Sequence, residues 1–69
     1  MLDNKSLVVL AYLRIHFKES NVPICAPEIN INGLSFNEIL EAIETLSNEN
    51  RIEVEDKYIQ PTILSVDMD

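Results

Sequence analysis

LSFNEILEAIETLSNENRIEVE, residues 34–55, changes its hydrophobic period partway along, and the change separates a helix from a strand. Ser35 and Glu38 stand three apart directly ahead of an apolar run. In that spacing the hydroxyl accepts from the third helical N–H and the carboxylate accepts from the N–H of the cap. Leu34 and Ile39 can add the apolar contact that fixes the angle of entry. Wound at about 100° per residue, Phe36, Ile39, Leu40, Ile43 and Leu46 share one arc, while Asn37, Glu38, Glu41, Glu44, Thr45, Asn48 and Glu49 occupy the other. The pattern predicts a helix over Phe36–Asn48, with Asn50 suited to the left-handed residue that closes it. From Arg51 the period becomes two: Ile52 and Val54 alternate with Glu53 and Glu55. With 57–60 as a second β-prone segment before Pro61, the stretch predicts a short β-hairpin.

Upstream, Asp3 or Asn4 caps a first helix that runs to about Glu19, closed by Asn21 and Pro23. Its apolar residues form two arcs. Leu7, Val8, Ala11, Tyr12 and Ile15 make one, and Val9, Leu10, Leu13 and Phe17 make the other, so this helix needs cover on two sides. Over 22–34, Pro23 and Pro27 bracket a turn, and Glu28-Ile29 can open one or two helical turns before Gly33 breaks the chain. Downstream, Ile63, Leu64, Val66 and Met68 have no evident place in so small a core. The expected organisation is one domain over 1–64 with a tail at 65–69.

Long helix, short helix, capped helix and hairpin is an order that resembles the winged-helix variant of the helix-turn-helix fold. Pro27-Glu28-Ile29 through Gly33-Leu34-Ser35 is similar to that family's short helix, glycine turn and cap, and Ile39-Leu40, Ile43, Leu46 and Asn50-Arg51-Ile52 to its recognition helix entering the wing. The resemblance covers roughly 22–60. It implies an α+β fold of three helices followed by a β-hairpin wing. It also implies a partner- or DNA-facing helix presenting Asn37, Glu38, Glu41, Glu44, Thr45 and Asn48, and a wing carrying Arg51, Lys57 and Tyr58. Two departures stand out. The second helix is about one residue short and holds Pro27, and the outer face of the capped helix carries glutamates where a DNA reader carries groups for bases and phosphates.

Twelve carboxylates against five lysines and arginines leave a net charge of −7, which repels phosphate backbones unless the cations gather locally. Cys25 is the only cysteine and His16 the only histidine, so neither an internal disulfide nor a metal site is expected, and a single thiol fits a reducing cytoplasm. No glycine-rich phosphate loop and no nucleophile beside a base is present. The reading is of a protein that is not an enzyme, with no cofactor, no catalytic residue and no small-molecule substrate. The longest apolar run, from Leu7 to Leu13, is too short to span a bilayer and lacks a signal-peptide cleavage site, so no membrane association is expected.

A chain of 69 residues draws only about 3–5 kcal/mol from a single core, which makes a homodimer the natural stabiliser. In that reading Leu7, Ala11 and Ile15 pack on the third helix, while Val9, Leu13 and Phe17 meet a twofold-related copy or the tail from Ile63 to Met68, with Ile63 and Leu64 in the dimer interface. The expected function is that of a regulatory module in a transcription- or replication-linked process, docking a basic protein partner through the acidic helix face. The alternative, a dimeric sequence-specific DNA-binding transcriptional regulator, needs Lys5, Arg14, Lys18, Arg51 and Lys57 to converge on one face.

Overall fold

The computed structural model describes residues 2–55 and 60–68. Helix α1 spans Asn4–Glu19. Its first turn is capped by Asp3, whose Oδ1 accepts from the Ser6 N–H at 2.8 Å. Ser6 is fully buried, and its hydroxyl misses hydrogen-bond geometry. It still lies close enough to the same carboxylate to lead, with the Ser6 N–H, in holding Asp3 below the usual aspartate range. At the other end the Ser20 N–H reaches His16 O, and His16 Nε2 donates to Val22 O at 2.8 Å.

Helix α2 spans Phe36–Asn48, the bounds its sequence predicts. Both bonds of the capping box form: Glu38 N–H to Ser35 Oγ at 3.2 Å and Ser35 N–H to Glu38 Oε1 at 3.0 Å. At the C-terminus Asn50 adopts φ 60°, Arg51 N–H returns to Leu46 O at 2.9 Å and Asn50 N–H to Ser47 O at 3.0 Å. That pair of bonds is the left-handed closure that satisfies the last carbonyls of a helix.

The rest of the described chain forms a three-stranded antiparallel sheet in the order β1-β3-β2, from β1 (Ile24–Cys25), β2 (Ile52–Glu55) and β3 (Thr62–Val66). Ile24 pairs with Ile63 on one side of β3, and Val54 pairs with Ile63 on the other. A register shift between Glu53 and Val54 skips Leu64. α1 packs on α2 and β3, and α2 packs on β2. Val9, Leu10, Leu13, Ile39, Ala42, Ile43, Leu46, Ile52 and Ile63 make up most of the core between them.

Three helices followed by a hairpin wing is therefore not the architecture. Among the described residues there are two α-helices and a three-stranded antiparallel sheet. Where a short second helix is expected, the chain forms β1 and then a single 3-10 turn, Ala26–Glu28. The cause is local chemistry: Asn30, Asn32 and Gly33 follow the turn at once and are poor helix formers, so it does not propagate. Gly33 takes φ 90°, which ends the segment in a tight turn instead.

The strand expected at 57–60 falls mostly on residues outside those described, and β2 pairs with Thr62–Val66, whose Ile63, Leu64 and Val66 have no evident place in the core from sequence alone. The boundary expected at Leu64 thus falls inside the central strand of the sheet. Pro61 precedes this strand instead of ending the sheet; its missing N–H costs nothing there, and its carbonyl accepts from the Ala26 N–H at 3.0 Å.

The two arcs of α1 also exchange roles. Val9 and Leu13, expected against a second copy or the tail from Ile63 to Met68, are fully buried with Ile63 in the chain's own core, where α1 packs on β3, so none of the three is available to a second copy. Phe17 and Leu64 are half-buried. The arc expected on the capped helix faces solvent, with Leu7 48%, Val8 45% and Ile15 64% exposed.

Candidate functional site

The outer face of α2 carries acidic side chains and no lysine or arginine. Asn37, Glu41, Glu44 and Asn48 are exposed, and Glu38 and Thr45 are half-buried. Two of these six side chains already have structural work. Glu38 is held by the Ser35 N–H, which keeps its carboxyl below the usual glutamate range, with the Ser35 hydroxyl and Lys5 adding to the effect. Thr45 Oγ1 donates back to Glu41 O at 3.1 Å. Glu41 and Glu44 are left as the outward-facing carboxylates of the helix.

The cations do not balance them. Arg14 donates from Nε to Asp67 O at 2.8 Å and from Nη2 to Asp67 Oδ1 at 2.5 Å, while Arg51 Nη1 donates to Asp67 Oδ2 at 2.8 Å. Arg51, expected in a wing, is in fact part of this clamp, and Lys57 and Tyr58 lie outside the described residues. Lys5 reaches Glu41 at 3.7 Å across an exposed surface, a contact worth at most about 1 kcal/mol. Lys18 sits in the last turn of α1. Of the five cations proposed for a phosphate-binding face, three are thus spent on carboxylates in two separate places.

Beside the acidic face lies a cleft of about 390 Å³ between α2, β2 and the approach to β3. Leu40, Ile43, Val54 and Pro61 supply its apolar lining, and Ser47, Glu44 and Asn48 its polar edge. The sequence reading missed it because Val54 and Pro61 come from the sheet and reach α2 only in the folded chain. Leu40 sits at the margin of the helix's apolar arc, which is the one local sign of a half-covered neighbour. Among the described residues no three His, Cys, Asp or Glu side chains are grouped to hold a metal ion. No described helix is long and apolar enough to cross a membrane. No family model, curated protein or solved structure matches the chain.

Proposed function

We propose that the chain is a non-enzymatic protein-binding module whose α2 face and adjoining cleft take a basic segment of another protein, in a regulatory, cytoplasmic setting. The observation that carries this reading is the placement of Glu44 at the edge of the apolar cleft, next to Glu41, while Arg14 and Arg51 are drawn to Asp67 and not to this face. An apolar side chain of the partner fills the space against Leu40, Ile43, Val54 and Pro61, and arginine or lysine residues flanking it meet the two carboxylates. The apolar contact supplies affinity, and the carboxylates speed encounter and set orientation. The half-buried free thiol of Cys25, 3.4 Å from Thr62 Oγ1, accords with a reducing compartment.

The test uses a short synthetic peptide with one leucine between two arginines, titrated into the isotopically labelled chain and followed by NMR. The amides of Glu41, Glu44, Asn48 and Val54 should shift together. The double variant Glu41→Gln/Glu44→Gln should weaken binding about tenfold, as two exposed charge pairs give. Preference for duplex DNA over the peptide at low salt, through the same residues, would overturn the reading.

A further inference from the structure

We infer that the outer face of α1 binds a second copy of this chain, the two helices packing antiparallel about a twofold axis at Ala11. The surface is distinct from the acidic face of α2 and does not depend on what that face binds. Leu7, Val8, Ala11 and Ile15 lie on one stripe of α1, all exposed, while the opposite arc is buried in the core. An apolar stripe of this kind on a helix whose other side is fully used marks an interaction site.

The stripe is self-complementary. Leu7 and Ile15 are each four residues from Ala11, so a twofold axis there sets the Leu7 of one copy against the Ile15 of the other. A twofold interface requires such reciprocity, with each contact made twice. The small side chain at the centre lets the two helices approach to the 8–10 Å of close helix packing.

Charge limits where a second copy can approach. A chain of net charge −7 repels its own copies, and they can approach only where carboxylates are missing. The sequence from Asn4 through Lys18 holds no Asp or Glu, the longest such stretch in the chain. On its two margins α1 meets carboxylates that are already paired, Glu41 with Lys5 and Asp67 with Arg14 and Arg51. The stripe itself carries no carboxylate; the register brings Asp3 of one copy toward Glu19 of the other only at its two ends, and that is the repulsion salt screens. A single helix pair gives a small interface, so a weak, concentration-dependent dimer is expected.

Sedimentation equilibrium of the full chain at rising concentration tests this directly. The wild type should dimerise, more strongly in high salt because screening removes self-repulsion. Ile15→Asp should abolish dimerisation while leaving the circular dichroism and the melting temperature of the dilute protein unchanged, since the side chain is exposed. In a Cys25→Ser background, Ala11→Cys should form a cross-linked dimer under mild oxidation at least tenfold faster than Val22→Cys, an exposed site off the stripe. A wild type that stays monomeric at about 1 mM overturns the proposal, as does dimerisation that survives Ile15→Asp or equal cross-linking at both cysteines. Monomers that instead bind zwitterionic lipid vesicles through Leu7 and Ile15 would assign the stripe to a lipid surface and overturn it as well.

Discussion

Replacing Asp67 by asparagine removes the charge that joins three parts of the chain while keeping the size and shape of the side chain. Its carboxylate receives Arg14 Nη2 from α1 at 2.5 Å and Arg51 Nη1 from the α2–β2 connection at 2.8 Å. The three side chains are 30%, 42% and 27% exposed for Arg14, Arg51 and Asp67, so water screens the pairs in part. A hydrogen bond to a charged group contributes about 1.5–3 kcal/mol when sheltered, and an exposed ion pair about 0.2–1. Two partly screened bonds therefore give about 1–2 kcal/mol in total. For a domain of this size that corresponds to a fall of roughly 4–15 °C in melting temperature. The Arg14 Nε bond to the Asp67 main-chain carbonyl survives the change and limits the loss.

Urea melts at pH 7 measure the cost. A double-mutant cycle of Asp67→Asn with Arg14→Met should return a coupling of about 0.5–1 kcal/mol, shrinking in about 1 M salt. A cost within about 0.3 kcal/mol, with no coupling, would mean that the segment after Val66 is as free as its composition implies, and the reasoning would fail.

Ser35→Ala should cost about 0.5–2 kcal/mol, because the Glu38 N–H loses its acceptor; a denaturant midpoint that does not move would contradict the start of α2. Glu38 and Asp3 have carboxyls depressed below their ordinary values of 4.5 and 3.8, so their contributions are fully present above those values and lost as pH falls through the lower folded ones. The stability gap between wild type and Glu38→Gln should therefore be constant from pH 7 to about pH 5 and close below about pH 4.5; a gap that widens on acidification would reverse the sign. Leu13→Ala, at a fully buried site, should cost about 2–5 kcal/mol, whereas Leu7→Ala should stay within about 0.5 kcal/mol in dilute solution. Comparable costs at the two sites in urea melts would return the arcs of α1 to the roles their sequence suggests.

α2 was legible because every signal that defines it is local. Ser35, Glu38 and the Ile39-Leu40-Ile43-Leu46 spacing act within one or two turns, and Asn50 needs only its own φ to be read. β2 was legible from its period, although not its partner. Pro61 looked like the end of the sheet because proline cannot donate inside a ladder, yet one position ahead of a strand it has nothing to donate. β1 holds two residues and exists only because Ile63 and Thr62 arrive beside Ile24 and Cys25, a pairing that no window of sequence contains. Phe36 is another instance of a neighbour deciding: it shares the apolar arc of α2 but sits in the first turn and remains 40% exposed.

Of the candidate site, the acidic positions followed from helical phase, because Glu41 and Glu44 lie opposite the arc that must be buried. The cleft and the Asp67 clamp did not follow. The clamp joins residues 53 and 16 positions apart, and Asp67 in sequence is one acid among twelve. The arcs of α1 are nearly equal in apolar character, so only the positions of α2 and β3 choose between them.

The two surfaces assigned to this chain have opposite electrostatics, and that follows from where its few cations go. Arg14 and Arg51 converge on Asp67, Lys5 leans toward Glu41, and among the described residues Lys18 is the cation left without a carboxylate. The acidic field over α2 is compensated only in part, by Lys5 at Glu41, and it attracts a basic segment, so salt screening should weaken that association. Over α1 the same net charge acts as repulsion between copies, so screening should strengthen dimerisation. Added salt thus moves the two equilibria in opposite directions on one protein. If both weaken, the α1 stripe is not a site of self-association limited by charge; if both strengthen, the acidic face is not what holds the basic segment.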